Sequence, residues 1–451
     1  MDDQVLRDAA ARYGTPAYVF DLEAFALRIR HMRELLGGRV KLYYAMKANP
    51  FLTRTAAAEA DGLEICSAGE YAICRRAGIP ADKIVLSGVY KERGDVEAVM
   101  RERGAGTYTA ESMSQLRLLE ACAAGTGIGA ARVLLRITSG NQFGMDEEMV
   151  YSIIKEMGTY PHLKFAGLQY YSGTQKRKVG RMLEELLRLD GFCVRLREEL
   201  GFEVRELEYG PGFPVPYFEG EAELDEDALL ADFTKMLKAL EFKGIMVLEM
   251  GRFLAAPCGS YLTRVVDVKR NRGQNYCIID GGINHINYYG QAMAMKVPKH
   301  RYLPEDGQAS GSRHLPEDSQ APGSRHLPED GQAPGSRLTS ERLPEGKPAP
   351  DPETDRWTVC GSLCTSGDIL VKNLVIQGPE IGDVLVFERI GAYSVTEGIY
   401  LFLSRRLPKI LTCCKADGIR EVRGDIPTDA LNDGTVNSEM SKGENTSWMN
   451  Y

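Results

Sequence analysis

The chain has 451 residues, 43% of them hydrophobic and 26% charged, enough to bury one large core or two ordinary ones and to exclude a disordered polymer or a plain coiled coil. Its 55 Lys and Arg against 63 Asp and Glu give a net charge of -8, the reverse of the basic footprint of a nucleic-acid binder. Small-molecule chemistry is the class left. No run of about 18 apolar residues occurs, and the start, MDDQVLRDAAARYG, lacks the basic-then-apolar signature of a secretion signal. A cytoplasmic protein is therefore expected, with neither membrane nor nucleic acid as a partner. The 10 cysteines are scattered apart from Cys413 and Cys414, and only 6 histidines occur. Neither a disulfide framework nor a His-built metal site is expected.

In chain order, TPAYVFD (15–21) reads as a strand, and residues 1–24 as a strand and helix that pack on a later β domain. From 40 to 250, short apolar runs alternate with helical patterns. The runs are VKLYYAM, LEIC, KIVLS, GTYTA, RVLLRI, KFAGLQYY, VRELEY and GIMVLEM. The pieces between them, such as ESMSQLRLLEACAAG, carry apolar residues at helical spacing and end in Gly. Eight such units over 25–259 predict an α/β fold, a (β/α)8 TIM barrel whose chemistry sits at the C-terminal strand ends.

From 260 to 415 the texture becomes strand-like, with YLTRVVDVKR, QNYCIIDGG, WTVCGSLC, DILVKNLVI, GDVLVFERIGAY and PKILTCCKADG. This predicts a second, mainly antiparallel β domain. It is interrupted at about 301–356 by a tandem 12-residue repeat, RYLPEDGQASGS then RHLPEDSQAPGS and RHLPEDGQAPGS, too poor in apolar residues to form a core and expected to be a disordered insertion. The polar segment 416–451 is expected to be a mobile tail.

Lys47, in YYAMKANP, leaves an apolar strand at the barrel mouth. Partial desolvation there would lower its pKa and suit Schiff-base formation, against the ordinary alternative of a snorkelling lysine. YSGTQ (171–175), YGPGFP (209–214) and EMGRF (249–253) put glycine turns at the ends of the last three strands. Backbone N–H groups of such turns cradle phosphates, and barrels place phosphate near strands seven and eight. Arg252 would add charge and Thr174 a hydroxyl. A lysine facing a phosphate cradle points to a phosphate-bearing carbonyl cofactor, which pyridoxal 5'-phosphate (PLP) fits.

These motifs resemble the PLP-dependent decarboxylases of the diaminopimelate, ornithine and arginine group, which share the alanine-racemase-type barrel. YYAMKANP, EICSAGE, QFGMD, YSGTQ, GPGF, EMGRF, IIDGG, CGSLCTSGD and GAY stand in the family's order across residues 10–415, the repeat excepted. The resemblance implies that Lys47 holds PLP covalently and that Glu249 pairs with its pyridine nitrogen. It implies that Thr174, Gly212, Gly251, Arg252 and Tyr393 bind the phosphate, that Gly210 lets backbone approach the cofactor and that Tyr171 stacks on the ring. Cys364 would be the reactive cysteine, reaching the partner's site in a homodimer with shared active sites and protonating Cα after carbon dioxide leaves. Asp368 completes that motif, and Thr365, Asp368 and Tyr288 would line the substrate.

Some positions depart from the family. Enzymes acting on meso-diaminopimelate place Glu directly after the cysteine and Arg after the IIDGG strand; here stand Thr365 and, in NHINYYGQ, Tyr288. Tyr171 replaces a frequent histidine, Glu64 a frequent aspartate, and Pro211 the central glycine of GGGF. A polar substrate end left without partners costs about 1–3 kcal/mol. This pattern is more similar to decarboxylases acting on an aminoacyl group tethered to a carrier protein, which has no free distal carboxylate to grip. The alternatives are a true diaminopimelate decarboxylase and, in another class, a PLP-binding regulatory pseudoenzyme with the repeat as its interaction element. Retention of Lys47, Glu249, Cys364 and Tyr393 speaks against the last.

Overall fold

The structure is a computed structural model and describes residues 1–38, 40–305 and 355–434. Helix α1 (Asp3–Tyr13) starts on the Asp2 side chain, which accepts from Val5 N, and stops at Gly14. Strand β1 (Ala17–Asp21) follows, and the carboxylate of Asp21 caps α2 (Leu22–Leu36) by accepting from Ala24 N. Aspartate at the start and glycine at the stop satisfy the end groups that a helix cannot pair internally.

The barrel closes through β2 (Val40–Ala45), β3 (Gly62–Ile65), β4 (Ile84–Leu86), β5 (Thr107–Ala110), β6 (Ala131–Ile137), β7 (Leu163–Tyr171), β8 (Glu206–Gly210) and β9 (Ile245–Met250), all parallel. These are the eight strands expected from the apolar runs. They read as near-continuous apolar segments because a parallel barrel strand is covered on both faces. Helices α3 (Thr53–Glu59), α4 (Ala68–Ala77), α5 (Arg93–Arg101), α6 (Met113–Thr126), α7 (Glu147–Lys155), α8 (Val179–Leu200) and α9 (Glu226–Ala239) separate them. Only the single turn α10 (Arg252–Ala255) follows β9; α2, which touches both α9 and α3, completes the outer ring.

The second domain is a nine-stranded, mostly antiparallel sheet. It contains β10 (Gly259–Asn271), β11 (Gln274–Ile279), β12 (His300–Leu303), β13 (Arg356–Cys360), β14 (Ile369–Val375), β15 (Val384–Glu388), β16 (Lys409–Cys414) and β17 (Gly418–Arg423). Strand β1 is its ninth member, antiparallel to β10 and parallel to β16. Leu6 and Ala9 of α1 pack with Val19, Leu262, Val386 and Leu411 on one face. The other face, through Tyr18, Phe20 and Tyr261, is continuous with the barrel core.

Two boundaries differ from expectation. The insertion does not begin at 301, because Arg301–Leu303 belong to β12 and pair with β15; the copy RYLPEDGQASGS looks like the other repeats although its start is a strand with Leu303 buried. The tail does not begin at 416, because β17 pairs with β16. Its residues are mostly exposed, so this edge strand is held by its ladder and leaves no apolar alternation to read. The remaining repeat (306–354) and the tail beyond 434 lie outside the described residues.

Candidate active site

Lys47 sits in the tight turn Met46–Ala48 that ends β2. Both neighbours are fully buried while its own side chain is 40% exposed, opening into the barrel mouth. The strand registers decide what it meets. Ala45 lies opposite Glu64 on β3, and Tyr43 opposite Glu249 on β9, so the Lys47 ammonium is flanked by carboxylates from both neighbouring strands. It donates to Glu64 and, at 3.2 Å, to Glu249 Oε1, with Cys66 Sγ 3.9 Å away.

This geometry corrects one electrostatic expectation. Burial does work against the charge on Lys47, but Glu249 and Glu64 outweigh it and hold the ammonium well above the ordinary lysine range. Burial, then the neighbouring Glu64, pushes Glu249 up to about 7. Glu64 is also disfavoured by burial, yet the adjacent Lys47 and a hydrogen bond shared with Glu249 bring it below the usual carboxylate range. Glu249 is therefore the more basic member of the pair.

Beside Lys47, where β9 adjoins β2, the ends of β7, β8 and β9 converge on the barrel mouth. Gly212 has φ +63°, and a Cβ there would run into the Gly173 carbonyl. At Gly251 a Cβ would stand 2.7 Å from that of Ala48. Gly212 needs glycine so that backbone can approach backbone, and Gly251 so that its backbone can lie against the Ala48 methyl. Arg252 donates to the Tyr217 hydroxyl at 2.9 Å and lies over the rings of Tyr393 and Tyr289 at 4.5 and 4.7 Å, while its Nε is buried without a hydrogen-bond partner. Tyr393 comes from the β domain. Its φ of +69° is strained for a tyrosine, and its N–H docks on Ala48 O at 2.6 Å. A second tie, Asn49 Nδ2 to Gly391 O at 2.9 Å, fixes the β domain to the same turn.

Lys47, Tyr171, Thr174, Gly212, Glu249, Gly251, Arg252 and Tyr393 line one small cavity of about 60 Å³. Gly210 does not line it: a Cβ at that position would press on the Tyr171 ring at 2.5 Å, so this glycine makes room for Tyr171. A wider cavity of about 400 Å³ shares Lys47, Glu64, Arg136 and Tyr171 and extends past Cys66 to Tyr90, Lys91 and Phe143. The donor set fits PLP: an amine, two glycine-permitted close approaches at the strand ends beside it, and an Arg252 Nε still lacking an acceptor.

The other β-domain candidates lie elsewhere. Cys364 and Thr365 are exposed and line neither cavity. Asp368, expected to touch substrate, is 2% exposed, and its two oxygens accept from Ile283 N at 2.8 Å and Leu363 N at 2.7 Å. It shapes the cysteine loop from beneath. Tyr288, likewise expected to line the substrate, is buried against Tyr217, with its hydroxyl donating to Glu388 O at 2.5 Å.

Several polar groups near the site were not anticipated. Arg136 on β6 lines both cavities and donates to Glu111 at 3.0 Å. Glu208 on β8 is fully buried, accepts from Gln169 at 2.6 Å, and is pushed well above the usual carboxylate range by burial and then by Glu64 and Glu249. The available signal was that Arg136, Glu208 and Gln169 stand near the C-terminal ends of the strand runs RVLLRI, VRELEY and KFAGLQYY, where an apolar residue would suffice.

Comparison with known proteins agrees with this architecture. Residues 22–256 match the family described as pyridoxal-dependent decarboxylase, pyridoxal binding domain. The L-glutamyl BtrI acyl-carrier protein decarboxylase of Niallia circulans is 26% identical over 433 residues, covering 90% of this chain and 91% of that protein. A diaminopimelate decarboxylase of Actinosynnema pretiosum is 31% identical over 309 residues, covering 61% and 67%. Among solved structures, the diaminopimelate decarboxylase of M. jannaschii in co-complex with L-lysine has the same fold, with a TM-score of 0.76 at 22% identity over 96% of this chain and 94% of that one. No helix among the described residues is long and apolar enough to cross a membrane. A barrel with a lysine between two carboxylates, close-packed glycine turns at the neighbouring strand ends and a family match over the same residues place this chain among the pyridoxal-dependent decarboxylases of the ornithine, arginine and diaminopimelate group.

Proposed function

We propose that the chain removes the α-carboxylate of an aminoacyl group tethered to a carrier protein. The observation that carries this reading is the pair of distal positions. Where diaminopimelate enzymes are expected to keep a glutamate and an arginine, Thr365 is an exposed hydroxyl and Tyr288 is turned inward onto Glu388 O. Nothing at these two positions offers a distal amino acid head group a charge. The Niallia circulans relative, whose name specifies a carrier-bound glutamyl group, supports the same reading. The Actinosynnema relative, the more identical of the two over a shorter stretch, supports the second reading, turnover of free diaminopimelate.

In this proposal Lys47 would carry the cofactor, Glu249 would pair with its ring nitrogen, Tyr171 would cover the ring, and Thr174, Gly212, Gly251, Arg252 and Tyr393 would hold the phosphate. PLP supplies an electron sink for the pair released from the Cα–carboxylate bond. Glu249, the more basic of the coupled carboxylates, keeps a proton available at the ring nitrogen near neutral pH. Cys364 delivers a proton to Cα from a second copy of the chain. Its exposure and its absence from the lining of its own chain's cavities support a shared homodimeric site.

Carbon dioxide release from free meso-diaminopimelate, lysine, ornithine, arginine and glutamate, set beside carrier-tethered aminoacyl groups, tests the proposal. Turnover confined to tethered substrates is expected; brisk turnover of free diaminopimelate would refute it. Mixing Lys47→Ala with Cys364→Ala protein tests the shared site. Partial recovery of activity is expected, and no recovery counts against sharing.

A further inference from the structure

Thr174 faces the cofactor cavity from the loop after β7, and that loop is held from below by a carboxylate that no motif singles out. Glu185, on α8, accepts from Ser172 Oγ at 2.6 Å, from Lys176 Nζ at 2.6 Å and from the Tyr209 hydroxyl at 2.7 Å. The Lys176 and Glu185 side chains are only 5% and 10% exposed, and the ammonium also lies 5.3 Å from the centre of the Tyr209 ring. Ser172 and Lys176 bracket Thr174. Tyr209 is the β8 residue that leads into Gly210, Pro211 and Gly212. One carboxylate thus pins both phosphate-facing segments, and Lys176 N closes the set by donating to Gly212 O at 2.9 Å. Gln175 locks the outer edge, its amide exchanging hydrogen bonds with Val215 N at 2.6 Å and Val215 O at 2.9 Å.

We infer that Glu185 is a positioning residue for the phosphate end of the site, acting through Ser172, Lys176 and Tyr209 to preset Thr174 and Gly212. This rests on the reading that those two residues hold the PLP phosphate. Neither Glu185 nor Lys176 lines the cavity, so the effect is exerted at one remove. Neutralising Glu185 leaves the Lys176 ammonium buried without its counter-charge. The short way for it to regain water is outward, carrying the loop and Thr174 with it.

The test compares PLP with pyridoxal, which lacks the phosphate, in visible-absorbance titrations of the full-length protein stripped of cofactor. Wild type is expected to prefer PLP strongly. Glu185→Gln is expected to lower that preference about tenfold or more, the loss of one charge-assisted contact, with pyridoxal affinity within about twofold of wild type. Glu185→Asp should recover part of it. Ser172→Ala, which keeps the ion pair, should lower it about threefold and decides the question if Glu185→Gln does not fold. An unchanged preference in the folded variants, or an equal loss for both ligands with a lower melting temperature, would assign the cluster to fold stability alone and overturn the inference. A wild type without preference for PLP would remove the phosphate-cradle reading itself, an outcome distinct from failure of Glu185.

Discussion

At the floor of the barrel, where β5, β6 and β8 begin, Glu206 is buried and Arg132 meets it at 2.8 and 3.4 Å while also donating to Thr107 at 2.7 Å. At the mouth, Glu64, Glu208 and Glu249 bring carboxylate oxygens within 4.8 Å of one another, and the single ammonium of Lys47 reaches only two of them. Glu208 Oε2, Arg136 Nε and Arg252 Nε are left buried without partners. The floor matches its charge and so contributes rigidity. The mouth leaves charge unmatched, which costs stability and holds protons and donor groups ready for a ligand.

The comparison breaks most severely at Lys47. Lys47→Ala should abolish the visible band of lysine-bound PLP and reduce decarboxylation by roughly 10⁴-fold; a coloured, active variant would show that the mouth works without its central cation. Next, Glu249→Gln should lower kcat by about 10²-fold with the fold intact by circular dichroism. The same variant sharpens the electrostatic contrast. A carboxyl raised to about 7 in the fold stabilises fully below its unfolded value and loses that contribution as pH rises through 7. Cofactor-free protein should therefore lose stability from about pH 5 to about pH 8, at up to about 1.4 kcal/mol per unit from Glu249, and Glu249→Gln should lower that slope by this share, leaving the part that the likewise raised Glu208 supplies. Glu64, shifted downward, contributes above its unfolded value and loses that contribution only at more acid pH, outside this window.

Smaller effects are expected away from the mouth. Asp368→Ala strips two backbone N–H groups of their acceptor and should cost about 2 kcal/mol in urea denaturation, with activity falling as the cysteine loop loosens. Glu206→Gln breaks the floor pair. Because Arg132 is one-third exposed, the cost should be only about 1 kcal/mol, with kcat unchanged. A large loss of kcat there would mean that the two ends are not energetically separate.

The barrel was legible because each parallel strand is an apolar run punctuated by glycine-stopped helices, a pattern that needs no knowledge of partners. The two strands that escaped, β12 and β17, lack it: one is embedded in repeat-like composition and the other is a polar edge. Lys47 and Glu249 were legible for the opposite reason, as charges at the ends of apolar strands. Arg136, Glu208 and Gln169 carry the same signal one or two residues deeper, where only the partner across the barrel separates a functional group from a tolerated one. Asp368 and Tyr288 were assigned to substrate by their place in motifs, yet side-chain direction follows backbone turns that a motif does not encode.

By itself, then, the sequence determined the two-domain plan, the eight strands, the lysine and the glycine turns, since periodicity, composition and backbone freedom are local properties. The tertiary structure alone decided that two carboxylates flank Lys47 and invert its expected pKa shift, and that Gly210 serves Tyr171. It also turned Asp368 and Tyr288 inward and set Glu185 beneath the loop that follows β7. Each of these depends on strand register and on which distant side chains share one low-dielectric space, and neither is written in any single stretch of chain.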